Sequence, residues 1–211
     1  MISNKFDGAL YINLARREDR KIQTELEFSN NGVIAERIEA IDGNPNNLPN
    51  AISKGHVGCV LSHIKCLEMA KANGWKSVLI FEDDVEFKKF ADVLFNEWWK
   101  EVPDNWDMLF LGGNHFGHRS ELKKNPQIVK YSDHLYRTYY TITTHAIAVK
   151  HTMYDYMLER LRKLKKEIDR EYAEAQEYFN VYTFKPNLAW QRTDFSDITN
   201  KECDYSWMKN N

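Results

Sequence analysis

Ser77-Val78-Leu79-Ile80-Phe81, followed at once by Glu82-Asp83-Asp84, is the stretch whose reading decides the fold. From Val78 to Phe81 the chain is apolar without interruption, is of strand length, and stops abruptly at three carboxylates. A strand buried on both faces reads as a continuous apolar run rather than an alternating one, so this segment predicts a central parallel strand with an acidic C-terminal tip. Upstream, Val60, Ile64, Leu67 and Ala70 recur at helical spacing between Gly58 and Ala72, and Asn73-Gly74 supplies a stop. Downstream, Phe90, Val93, Leu94 and Trp98 mark a second helix. Pro103 follows, and then a second apolar strand, Asp107 to Leu111, closed by Gly112-Gly113.

Further out, Ala9 to Leu14 reads as a strand, and residues 15–20 form a charged loop leading into a helix. Gly32 breaks the chain, and Ile34 to Ile41 is a further strand. Asp42 to Asn50 concentrates turn formers and predicts a loop. Thr141 to Val149 predicts another strand. One helix is expected from Met153 to about Phe179, with its charge run as a solvated face, and an irregular tail from Lys185. Strands and helices that alternate in this way predict an α/β fold, a single domain over residues 1–211 with a mainly parallel central sheet flanked by helices. In such sheets ligands collect beyond the carboxyl ends of the strands.

Composition narrows the function classes. Lys and Arg total 29 against 31 Asp and Glu, so there is no strong positive field and no nucleic acid partner is expected. Three cysteines, Cys59, Cys66 and Cys203, make no disulfide scaffold and fit a reducing compartment. No apolar run approaches the roughly 20 residues that cross a bilayer, and residues 1–8 have no apolar signal core. The expectation is therefore a cytoplasmic protein without a transmembrane segment. Trp98, Trp99, Trp106, Trp190 and Trp207 suit either sugar stacking or core filling.

Three consecutive carboxylates repel one another unless a cation lies between them. Along an extended tip Glu82 and Asp84 project to one side and Asp83 to the other, so two carboxylates can face one hard divalent ion, Mn2+ or Mg2+. An acidic turn that caps the following helix is the plainer alternative. Gly55 and Gly58 permit close backbone approach to a nucleotide, and Ser62 and His63 can hydrogen-bond it; tight packing alone explains the glycines equally. Cys59, His63 and Cys66, at i, i+4 and i+7, share one helical face but lack the second ligand pair of a zinc site.

Taken together, Tyr11-Ile12-Asn13-Leu14 with Arg17 and Arg20, then Gly58-Cys59-Val60-Leu61-Ser62-His63, then Leu79 to Val85 with its Glu82-Asp83-Asp84, resemble glycosyltransferase family 25. Trp106-Asp107 before a strand, Thr144-His145-Ala146 and Ser196-Asp197-Ile198 extend the similarity. The resemblance implies a GT-A type fold, a UDP-sugar donor with galactose the commonest sugar, a divalent ion at the acidic triplet, and inversion at the anomeric carbon. It places Asn13, Leu14 and Asp83 at the donor with Glu82 and Asp84 on the metal, and it makes Asp169 the candidate general base. Residues 165–171 read equally as exposed helix, in which Asp169 would form a surface ion pair; Asp194 and Asp197 are reserve bases. Arg17 and Arg20 suit the donor's phosphates or simple solvation of a helix start. His145 suits a metal or phosphate contact, or a core histidine.

The expected acceptor is a glycan, a lipid-linked oligosaccharide or a hydroxylated protein. Two rival classes stay open: another metal-dependent enzyme acting on phosphates, such as a nucleotidyltransferase or phosphohydrolase, and a non-catalytic binding module.

Overall fold

The computed structural model describes residues 1–43, 52–115 and 127–210. Most of the expected Asp42 to Asn50 loop lies outside the described residues. An eight-stranded sheet organises the chain, built from β1 (Gly8–Asn13), β2 (Glu36–Glu39), β3 (Ser77–Glu82), β5 (Met108–Phe110), β6 (Ile128–Lys130), β7 (Leu135–Thr138), β8 (Ala146–Lys150) and β9 (Val181–Phe184). Its spatial order is β2-β1-β3-β8-β5-β9-β7-β6. Pairings of β1 with β2 and β3, and of β5 with β9, are parallel. Those of β8 with β3 and β5, of β7 with β9, and of β6 with β7 are antiparallel. Hence β2, β1, β3, β5, β9 and β6 run one way and β8 and β7 the other, a mixed sheet in which most strands share a direction.

Side chains alternate between two cores, as the pleat requires. Leu10, Ile12, Val78, Ile80, Met108 and Phe110 face one cluster, covered by α2 (Lys54–Ala72), α4 (His151–Leu161) and α5 (Ile168–Ala175). Tyr11, Leu79, Phe81 and Leu109 face the other, covered by α1 (Glu18–Asn30) and α3 (Ala91–Trp98). Burial on both sides explains why β3 carries no polar alternation. Trp98, Trp106 and Trp190 are buried, so these rings fill the interior, whereas Trp207 is exposed. Among the described residues, no helix is long and apolar enough to cross a membrane.

Three expectations are corrected. The strand expected from Thr141 begins only at Ala146, and it runs against its neighbours. The long helix expected from Met153 is two helices, interrupted after Leu161, with Leu164 at a φ of 51°. A helix over that whole stretch would run about 40 Å, far beyond strands of this length. The break lets Leu161, Leu164 and Ile168 all enter the same core. The tail expected to be irregular contains β10 (Ala189–Gln191), paired with β4 (Val85–Phe87), and a hairpin of β11 (Asp194–Ser196) and β12 (Lys201–Cys203).

Candidate active site

The C-terminal ends of β1 and β3 and the segment entering β8 meet at one rim of the sheet, over a cavity of about 370 Å³. Its wall includes Leu14, Arg20, Gly55, Gly58, Cys59, Ser62, the triplet Glu82 to Asp84, Thr144, Asp169 and Gln191. The three carboxylates point to three sets of partners. Asp83 accepts from Arg20 Nη1 at 2.8 Å and from Asn13 Nδ2 at 2.7 Å, and its carbonyl accepts from Thr24 at 2.8 Å. Glu82 Oε1 accepts from the Thr144 hydroxyl at 2.6 Å and lies 3.3 Å from His63 Nε2. Asp84 Oδ2 accepts from Gln191 Nε2 at 3.2 Å and lies 4.0 Å from Arg20, while its buried Oδ1 has no hydrogen-bond partner.

These surroundings divide the triplet electrostatically. Burial alone would raise Glu82, but the hydrogen bonds of His63 and Thr144 outweigh it and hold the carboxyl below its usual range. Burial raises Asp83 against the opposing pull of Arg20. Asp84 is pushed up to about 7, first by burial and then by the Glu82 charge, with Arg20 offsetting only part. Arg20 thus pairs closely with Asp83 and only at 4.0 Å with Asp84, and Glu82 and Asp84 both line the cavity. A buried carboxylate oxygen without a hydrogen-bond partner is a hard donor open to a cation, so Glu82 and Asp84 fit a divalent ion held by oxygens.

Asp169 lies in the first turn of α5, on the cavity, because the chain breaks before Ile168. Burial and the charges of Glu167 and Glu82 push it up to about 6, against a hydrogen bond from the Thr143 backbone. The alternative of a surface ion pair does not describe this carboxyl. Arg17 binds Asp19 at 2.9 Å and also pairs with Asp197 and, at 3.5 Å, Asp194; Arg20 donates to Asp194 at 3.0 Å and to the Phe195 carbonyl at 2.9 Å. Asp194 and Asp197 therefore close the site from the far end of the chain. The guanidinium of Arg17 lowers Asp197 in spite of its partial burial.

Gly55 and Gly58 are explained by contact with backbone. A Cβ on Gly55 would come within 2.7 Å of Ile198 Cα, and one on Gly58 within 2.3 Å of the Ile41 carbonyl oxygen. Ser62 donates to the Gly58 carbonyl at 2.7 Å and accepts from the Ile41 N–H at 2.8 Å, tying the loop after β2 to α2. Helix propensity favours Gly58→Ala by up to about 1 kcal/mol. The collision with main chain that cannot rotate away should reverse the sign, costing about 1–3 kcal/mol in urea unfolding. Unchanged or increased stability would show that the loop yields.

His145 is fully buried, with Nε2 3.2 Å from the Ala189 carbonyl oxygen, and burial pushes it down to about 4. It is a neutral interior histidine. Gly112 and Gly113 admit the Ala189 carbonyl and the Thr141 methyl, respectively. Sequence reasoning gave Thr144 and Gln191 no role. Thr144 had a signal, its place beside His145 in a motif; Gln191 had none, because its strand pairs with β4 more than 100 residues earlier.

The site is therefore an acidic strand end of an α/β sheet opening on a cavity, beside a raised carboxylate from a flanking helix. The chain belongs to glycosyltransferase family 25: the family model, described as glycosyltransferase family 25 (LPS biosynthesis protein), matches residues 6–170. That family includes galactosyltransferases. A zebrafish (Danio rerio) relative named procollagen galactosyltransferase 1 is 28% identical, over 51% of this chain and 21% of its own. A mouse (Mus musculus) relative named inactive glycosyltransferase 25 family member 3 is 30% identical, over 51% and 22%. The procollagen lysyl hydroxylase and glycosyltransferase of Acanthamoeba polyphaga mimivirus is 30% identical, over 63% and 18%. The chain spans about a fifth of the length of these curated relatives. Among solved structures, a glycosyltransferase involved in the glycosylation of the major capsid of PBCV-1 is similar with a TM-score of 0.48 at 12% identity, over 81% of this chain and 74% of that one.

Proposed function

We propose that this protein is a metal-dependent inverting glycosyltransferase, moving a sugar, galactose first among the candidates, from a UDP-sugar to an acceptor hydroxyl. The observation that carries the reading is the pairing, across one cavity, of Asp84 and its unpartnered oxygen with the raised carboxylate of Asp169. Glu82 and Asp84 would hold Mn2+ or Mg2+, which when bound supplies neutralisation of the charge that builds on the departing UDP. Arg20 and Asn13 fix Asp83, and through it the turn that aims Glu82 and Asp84 at the cavity. Asp169 takes the proton from the acceptor hydroxyl as it attacks the anomeric carbon, and a single base on the face opposite the leaving group accounts for inversion. Arg17 and Arg20 reach the donor's phosphates by exchanging Asp194 and Asp197 for them. The acceptor is a glycan, a lipid-linked oligosaccharide or a hydroxylated protein, the last in keeping with the procollagen galactosyltransferase name of the zebrafish relative.

The test is a screen of UDP-sugars for UDP release with Mn2+ or Mg2+, with and without sugar acceptors. Release from UDP-galactose above the other donors is the expected result. No release from any donor, with nucleoside triphosphates or phosphate esters consumed instead, would replace the transferase reading with a phosphate-processing one. The name of the mouse relative favours a second reading, a binding module without turnover. Calorimetry separates the two: donor binding that persists without metal and survives Asp84→Ala belongs to the module.

A further inference from the structure

The face of α2 that looks across to the tip of β3 carries more than packing. The Cys59 thiol, a ring nitrogen of His63 and a carboxylate oxygen of Glu82 all lie within 4.8 Å of one another. The helix sets the first two one turn apart, and β3 brings the third from 19 residues away in sequence. His63 is fully buried, and while its Nε2 faces Glu82, its Nδ1 has no hydrogen-bond partner. Cys59 and Glu82 both open on the cavity, so an ion and a fourth ligand have a way in. The sequence had put Cys66 beside these residues, but Cys66 is fully buried in the core and outside the cluster.

We infer that Cys59, His63 and Glu82 form a site for a thiophilic divalent cation, Zn2+ being the ion that this donor set suits best. One thiolate, one imidazole and one carboxylate make a three-ligand set with an open fourth position, the arrangement tetrahedral Zn2+ accepts and the oxygen-seeking Mn2+ and Mg2+ do not. The thiol gives up its proton when the ion binds. Thr144, donating at 2.6 Å to the Glu82 Oε1 that also faces His63, fixes the orientation of the carboxylate. This site overlaps the pair proposed for the hard cation at Glu82 and differs from it in its other ligands, so the two ions compete for that carboxylate. Its existence does not depend on sugar transfer.

Cobalt is the probe, because a Co2+–thiolate bond gives a near-ultraviolet charge-transfer band that oxygen ligands cannot produce. Titrating the full chain with Co2+ in the absence of other metals should raise that band, and Zn2+ should abolish it where Mg2+ does not. The band should be missing from Cys59→Ser and Cys59→Ala, whose folding is checked by circular dichroism, and present in Cys203→Ser. A wild-type chain without the band, or a band that survives in Cys59→Ser, overturns the site. Asp84→Ala should keep the band while losing donor turnover; a band lost with Asp84 would overturn the inference by placing the ion on the hard-cation ligands. Should the Cys59 variants fail to fold, alkylation of the wild type gives the answer by mass spectrometry. Zn2+ should slow modification of Cys59 by about tenfold or more and leave Cys203 unaffected. Equal rates with and without Zn2+ would dismiss the site.

Discussion

Asp84→Ala is expected to lower sugar transfer by about a thousandfold, because charge stabilisation by a bound cation amounts to several kcal/mol and each ~1.4 kcal/mol is a factor of ten in rate. The same substitution should leave the metal-free protein folded, or firmer, since it removes a buried carboxylate that Arg20, 4.0 Å away, offsets only in part and whose Oδ1 has no hydrogen-bond partner. Linkage gives this a pH signature. Asp84 titrates at about 7 in the fold against an ordinary value of 3.8, so within that interval the folded chain holds more protons than the unfolded chain. Stability from this group is full below the ordinary value and is lost as pH rises through about 7. Metal-free wild type should therefore melt at progressively lower temperature across that window, and Asp84→Ala should flatten the slope. Mn2+ should raise the wild-type melting temperature most at the upper end of the window, with little effect on the variant. Wild-type turnover by Asp84→Ala would remove this residue from the mechanism.

The reason β3 and its acidic tip could be read from sequence is that burial on both faces imposes the same demand on every position from Val78 to Phe81. The same uniformity hid the direction of β8: Ala146, Ile147, Ala148 and Val149 are all fully buried between β3 and β5, and an apolar run reads the same in either sense. Charged residues between Leu161 and Ile168 look like one exposed helical face whether or not the helix continues, so the break that delivers Asp169 to the cavity left no periodic trace. The strands from Ala189 onward are three residues long, shorter than any period can register; β10 finds its partner in the distant β4, and β11 and β12 pair with each other. Arg20 was singled out as a phosphate ligand on local grounds, yet its partner Asp83 is 63 positions away. Local chemistry nominated the residues; only the tertiary fold shows that Arg20 binds one carboxylate of the triplet at 2.8 Å and reaches another only at 4.0 Å.

Asp169→Asn should reduce kcat by about 10²- to 10⁴-fold, the usual worth of a positioned general base, while the KM for the donor stays near its wild-type value. The amide matches the carboxylate in size, so what it removes is the ability to accept a proton. Asp169 also sits in the first turn of α5, where a negative charge favours the helix by about 0.3–1 kcal/mol, and a small loss of stability alone would signal only that role. The pH profile separates the two. With the carboxyl raised to about 6, wild-type kcat should fall as pH drops through that value and the base becomes protonated. The variant's residual rate should lack this limb. A purely structural aspartate would lower the whole curve without changing its shape. Asp197 is the weaker candidate on physical grounds, since Arg16 and Arg17 hold its carboxylate and lower its affinity for a proton. Unchanged turnover in Asp169→Asn would nonetheless pass the role to the C-terminal hairpin, and the same pH measurement on Asp194→Asn and Asp197→Asn would then identify the base.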